Sequence, residues 1–168
     1  MTGVQTCALP ISIKLAGVPA AILYNAVGTS FAPATTDTTD EYIKLFSDIY
    51  SKAQPGQAFD NNVLIGMNTA FLVAQAVKAA GNSPTRKSLM AAIDKNGANF
   101  ASAALAPLNY SAKSHVGYNG YWFGKYSVTG DLKPIDGKYV VYQTDSGSGA
   151  VVKSTYKRAP MPAKGLPA

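Results

Sequence analysis

His115 is the only histidine in the chain, and every chemistry that needs an imidazole has to pass through it. A two-histidine metal site is impossible, and a Ser-His-Asp arrangement would depend on His115 alone. The residue sits in "AKSHVGYNGYW", a polar, glycine-containing turn ahead of a strand, and reads as a surface or turn histidine. Carboxylates are sparse. Glu41 falls in a helix-capping pattern, Asp60 and Asp94 lie at helix ends, and Asp131 and Asp136 occupy turns, where Asp is expected. No pair of them is an evident acid and base couple. "GSGAV" at Gly147 to Val151 lacks the following helix and the lysine of a phosphate-cradling loop. No catalytic residue emerges, no cofactor is implied, and the chain is not expected to be an enzyme.

The single cysteine, Cys7, lies in the opening "MTGVQTCALPI", which follows neither the helical nor the alternating period and has no charged secretory n-region. Thr2 to Ile11 is the translation of ACTGGAGTTCAGACGTGTGCTCTTCCGATCT, a common short-read sequencing adapter. Residues 1–11 are therefore expected to be an assembly artefact, with the true N-terminus missing and the break free to cut through a domain. Without them the chain has no cysteine, which removes disulfides, thiol nucleophiles and thiolate metal sites together.

The 168 residues are 47% hydrophobic, enough for a core. No run approaches the ~18 apolar residues of a membrane span; the longest apolar helix candidate is interrupted by Asn68, Thr69, Gln75 and Lys78. This piece is expected to be soluble. The net charge of +6 comes from basic residues dispersed from Lys14 to Lys164, with only Arg86-Lys87 and Lys157-Arg158 adjacent. That is a solvated basic surface, not a nucleic-acid stripe.

Elements follow from pattern. "GVPAAILYNAVG" (Gly17 to Gly28) reads as a buried strand leaving a turn, and Thr38 to Glu41 as a capping box opening a helix with Tyr42, Phe46, Ile49, Tyr50 and Ala53 on one face. "QPG" ends it. A second helix opens around Asp60 to Asn62, carries Leu64, Met67, Phe71 and Ala74 on one stripe broadened by Val63, Ala70 and Val77, and closes at Gly81. That breadth predicts a well-buried helix. Ser83-Pro84 reads as the N-cap and first position of a third, with Leu89, Met90 and Ile93 inward and Asn96-Gly97 as its stop. From Gly120 to Thr144, aromatic and polar residues alternate across the turn dipeptides Thr129-Gly130 and Asp136-Gly137, which predicts strands and hairpins. Tyr121, Trp122 and Phe123 should alternate faces, one packing on the helices, although a cluster with Tyr118 and Tyr126 could also serve as a stacking platform. Residues 146–168 read as a Gly/Ser linker and a flexible Pro-rich tail.

"AVKAAGNSPTRKSLMAAID", followed at a distance by "SHVGYNGYWFGKYSVTGDLKPI", resembles the C-terminal part of the type I periplasmic solute-binding proteins of ABC transporters, the leucine/isoleucine/valine-binding class. In that family a long helix ends in an Ala-Ala-Gly turn, a Thr-Arg-led helix follows, and a closing strand carries an aromatic-polar beat and a "G-x-L-x-P"-like turn. The likeness covers residues 17 to about 145.

The resemblance implies an α/β chain with a truncated type I periplasmic-binding-protein fold, part of a two-lobe Rossmann-like sandwich whose upstream strands are missing. Residues 12–145 would be its C-terminal portion. Ala20 to Gly28 would run out through the hinge, the three helices would belong to the N-terminal lobe, and the chain would recross near Tyr121 to Tyr142. The implied activity is a binding equilibrium. A small solute, most plainly an amino acid, favours closure because only the closed form contacts it from both lobes, and the ABC permease reads that form. No nucleic acid and no stable metal are implied. The setting would be periplasmic or extracellular, with a lipid anchor open to the full-length protein. By the same resemblance Phe59, Asp60, Asn61 and Asn62, just before the long helix, line the cleft; as residue types they also serve as plain helix caps. Gly66-Met67 departs from the aromatic expected after the glycine there. A ligand-sensing domain of the same fold is the alternative, which the short polar "PMPAKGLPA" end does not favour, and an enzyme fragment with its catalytic half upstream is a third. A lobe missing its first strands exposes helix faces meant for a sheet, so the isolated chain is expected to aggregate or partly unfold; a sharp cooperative melt would count against this.

Overall fold

The computed structural model describes residues 19–144 and 149–162. Met1 to Ile11, with Cys7, lies outside them.

The apolar run after Gly17 does not make a buried strand. Ala20–Leu23 is a single 3-10 turn with Ile22 68% exposed. Asn25, at φ 64, then swings the chain through the left-handed region that Asn tolerates. Its N–H reaches the Tyr126 carbonyl at 3.0 Å, so the ladder begins only there and strand β1 is Val27–Ser30.

Helix α1 spans Glu41–Ala53. Its cap is Asp40, in place of the expected Thr38 box: one carboxylate oxygen accepts from the N–H groups of Tyr42 (3.0 Å) and Ile43 (3.1 Å). A carboxylate next to the first turn satisfies two orphan donors at once, and Thr38 is too far back to compete. Tyr42, Ile43 and Phe46 are buried, whereas Ile49 and Ala53, expected inward, are exposed.

Helix α2, Asn61–Ala79, also departs from its expected burial. The buried stripe is Leu64, Asn68, Phe71, Leu72, Gln75 and Ala76. Ile65, Gly66, Thr69, Ala70, Val73, Ala74 and Val77 face outward, uncharged. Helix α3, Arg86–Asn96, is capped by Thr85 and starts two residues later than Ser83-Pro84 suggests. Thr85 and Ser88 cap each other reciprocally, Thr85 Oγ1 accepting from Ser88 N at 3.1 Å and Ser88 Oγ from Thr85 N at 2.8 Å. Leu89 and Ile93 are half-buried, Met90 is exposed, and Gly97 ends the helix as expected.

Four further strands complete one sheet: β2 (Gly120–Tyr126), β3 (Leu132–Pro134), β4 (Val141–Gln143) and β5 (Val152–Lys153). β2 is central. β1 pairs along one edge of it, while β3 and β4 share the other, β3 on its later residues and β4 on its earlier ones; β5 pairs with β4. Every pair is antiparallel among the described residues. The short link from Tyr126 to Leu132 allows only antiparallel pairing of β2 with β3, and Gly130, Asp136 and Gly137 lie at positive φ where the turn dipeptides predicted them. The chain is α/β as expected, and the parallel strands of a Rossmann-like lobe are not among these elements.

Trp122 fills the inner face of β2, as the alternation predicts, with Tyr121 and Phe123 half-solvated behind it. Its neighbours on that face are Gly120 and Gly124. A Cβ on Gly124 would stand 2.6 Å from the indole and 2.5 Å from the Lys133 carbonyl, and one on Gly120 would strike the Ala106 methyl. The two glycines therefore make room for a ring that packs with Ala106, Leu132 and Val141 and donates from Nε1 to the Ala32 carbonyl at 2.7 Å. Residues 100–108 form the seam with the helices. Ala103 joins the Tyr42–Phe46–Leu64–Phe71 cluster, Ala104 and Leu108 pack with Leu72, and Ala106 packs with Trp122. No helix among the described residues is long and apolar enough to cross a membrane.

Candidate functional site

The residues at the start of α2 divide by role. Phe59 turns toward the core, half-buried against the aromatic cluster with its ring 6.2 Å from that of Tyr50. Asp60 caps the helix, one oxygen accepting from Asn62 N (2.9 Å) and Val63 N (3.0 Å). Asn61 and Asn62 are exposed and their amides have no hydrogen-bond partner among the described residues. The arrangement presents a carboxylate with an oxygen to spare and two free amides beside the positive end of a 19-residue helix dipole. Such a set accepts from an ammonium and donates to a carboxylate.

What fixes the direction of α2 is a pair of buried amides one heptad apart. Asn68 donates to Tyr118 Oη (2.7 Å) and Ser102 Oγ (3.1 Å) and accepts from Ala103 N (2.8 Å). Gln75 holds both sides of Ala101, donating to its carbonyl at 2.8 Å and accepting from its N–H at 2.7 Å. Each satisfies an otherwise orphaned backbone group in the seam. In the sequence these residues look like interruptions of an apolar helix; their spacing of seven, which returns a residue to the same face, was the available signal. Burial is the chief influence on Tyr118 and pushes its phenol up to about 12, against the lowering effect of the Asn68 amide. Tyr139, packed on Trp122 at 5.0 Å, is also raised to about 12, again by burial first. Its hydroxyl donates to Asp37. Burial alone would raise Asp37, but bonds from Thr39 and Tyr139 outweigh it and hold the carboxyl below its usual value.

A second polar cluster comes from residues expected to be a loose tail. Of residues 146–168, those at 149–162 are described, and they cross the front of α1. Arg158 pairs with Asp40, lies 4.4 Å over the Tyr42 ring and donates to the Ala103 carbonyl at 3.0 Å; Met161 N donates to Glu41 at 2.7 Å. Glu41 thus binds this strap instead of capping its own helix. Beside the strap is an open hollow of about 390 Å³ bordered by Phe100, Ser102, Tyr156 and Pro160. It does not include Phe59 to Asn62. His115 is a turn residue, its Nε2 3.1 Å from Asp94 on α3, with both side chains partly solvated. No group of three or more His, Cys, Asp or Glu is placed to hold a metal among the described residues.

A family model described as periplasmic binding protein matches residues 2–131. No curated protein matches the chain, and no solved structure does. The matched span contains all three helices, the seam, strands β1 and β2, and the start of α2 with its free amides. The chain belongs to the periplasmic binding protein family, whose members bind small-molecule ligands.

Proposed function

We propose that the chain is the C-terminal portion of the solute-binding component of an ABC transporter, of the leucine/isoleucine/valine-binding class. It captures an amino acid between two lobes outside the cytoplasm and delivers it to the permease by a binding equilibrium, with no chemical step. Family membership carries this reading. Two features support it. The start of α2 offers both an acceptor and donors for a zwitterion, from Asp60, Asn61 and Asn62. The outer face of α2 is uncharged from Ile65 to Val77, as suits a helix that a further layer covers in the whole protein.

The test is calorimetric titration of the full-length product of the locus with a panel of amino acids, repeated on Asp60→Asn and on Asn61→Ala/Asn62→Ala. Asparagine caps a helix as well as aspartate does, so Asp60→Asn removes the ammonium partner and spares the fold. A weakening of about tenfold is expected, the scale of one charge-assisted bond. Unchanged affinity in both variants removes these residues from the site, and a panel with no binder removes the amino-acid reading.

A further inference from the structure

The outer face of the sheet carries a pattern that neither solute binding nor core packing uses. Tyr121 stands opposite Tyr142, Tyr142 opposite Lys153, Phe123 opposite Thr29, and Lys125 lies between Val27 and Lys133. Since side chains alternate across a strand, all of these lie on the face away from Trp122. Tyr121, Phe123, Tyr142 and Val27 are exposed, and Phe123 and Tyr142 meet edge to face at 6.0 Å. Lys125, Lys133 and Lys153 are exposed as well, and none has an ion-pair partner among the described residues. No Asp or Glu occurs in any of the five strands. Lysines placed directly opposite each other, as Lys125 and Lys133 are, destabilise a sheet. An anion that sits between them removes that repulsion.

The identity of the anion follows from what the face lacks and what surrounds it. Its three ammonium groups would be costly to bury under another protein layer without partners. The uncharged outer face of α2 has no such obstacle, so the two faces are not built for the same covering. Aromatic rings with polar tips settle at the level of lipid headgroups, and lysines beside them keep their charge in water next to the phosphates. Single-stranded nucleic acid also stacks on aromatics flanked by lysines, but this family is typically extracytoplasmic, where an anionic lipid surface is the polyanion at hand. We infer that the Tyr121–Phe123–Tyr142 face, with Lys125, Lys133 and Lys153, docks the protein on anionic phospholipid. This is independent of which solute it carries.

Flotation of the full-length product of the locus with phosphatidylcholine vesicles, with and without one quarter phosphatidylglycerol, tests the inference. Binding is expected only to the anionic vesicles and is expected to fall steeply with salt. Lys125→Gln/Lys133→Gln/Lys153→Gln should weaken it roughly a hundredfold, at about fivefold per lysine. Lys87→Gln/Lys95→Gln/Lys113→Gln removes the same charge from exposed positions elsewhere and should change it less than about threefold. Equal loss in the two triple variants would mean attraction to net charge and would overturn the inference. So would absence of binding to anionic vesicles, or tighter binding to a single-stranded oligonucleotide than to the vesicles. Amine labelling of the unmutated chain read by mass spectrometry gives an answer without any variant. Anionic vesicles should protect Lys125, Lys133 and Lys153 and leave Lys87, Lys95 and Lys113 reactive; uniform protection counts against the face.

Discussion

Helix α2 and strand β2 are the longest elements of their kinds here, and their buried faces differ in polarity. α2 sets two amides, Asn68 and Gln75, among Leu64, Phe71, Leu72 and Ala76 on its buried face, and shows uncharged residues outward from Ile65 to Val77. β2 turns Gly120, Trp122 and Gly124 inward and shows Tyr121, Phe123 and Lys125 to solvent. The difference reflects what each element must hold. A sheet strand has its neighbours' backbones as partners, so its inner face is free to be apolar. The seam at residues 100–108 pairs with no helix backbone, so its N–H and C=O groups take side chains from α2.

The comparison is exposed to direct tests by urea unfolding. Asn68→Leu should do the most damage, about 3 kcal/mol, because it strands the buried Ala103 N–H together with Ser102 and Tyr118. A loss under about 1 kcal/mol would mean that water replaces the amide and that α2 does not hold the seam. Trp122→Phe keeps an aromatic ring but loses the bond to the Ala32 carbonyl, and about 1–2 kcal/mol is expected. If it outweighs Asn68→Leu, the strand and not the helix is the element that depends on a buried polar contact.

Alkaline titration probes both sides of the seam together. Tyr118 and Tyr139 have phenols raised to about 12 from an ordinary 10. The folded state therefore holds their protons more tightly, so their contribution is complete below pH 10 and is lost as pH rises from 10 toward 12. Phenolate absorbance should show these two titrating after the exposed tyrosines, and Asn68→Leu should raise Tyr118 further, since the amide favours the phenolate. Simultaneous ionisation of all the tyrosines near pH 10 would contradict their burial. The smallest effect is expected at Tyr42, whose buried hydroxyl has no partner among the described residues. Tyr42→Phe should change stability by less than about 0.5 kcal/mol, or raise it; a loss above 1 kcal/mol would reveal a hidden partner.

Local patterns settled which helices form and left open which face each would bury. The three helices were legible because Gln54 to Gly56, Gly81 and Asn96-Gly97 punctuate runs with helical apolar spacing. Their caps were less so, because Thr38, Asp40, Ser83 and Thr85 are all competent caps and only the local chain path chooses between them. Gly17 to Gly28 was misread because a short apolar run predicts a strand only where something covers it, and Ile22 is uncovered. The division of labour at the start of α2 was half visible: Asp60 reads as a cap from its neighbours alone, whereas the outward turn of Asn61 and Asn62 depends on Phe59 finding the core. The Arg158 clasp was invisible, since its partner Asp40 is 118 residues away and a Pro-rich stretch carries no periodic signal.

Trp122 is the chain's sole tryptophan and is 1% exposed. Its indole touches both the strand that carries it and the Ala32 carbonyl on the path from β1 into α1. That position makes it a built-in optical gauge of the seam. Any event that slides the helices against the sheet stretches one hydrogen bond at one fluorophore, so emission wavelength alone, without an attached dye, follows the motion in real time.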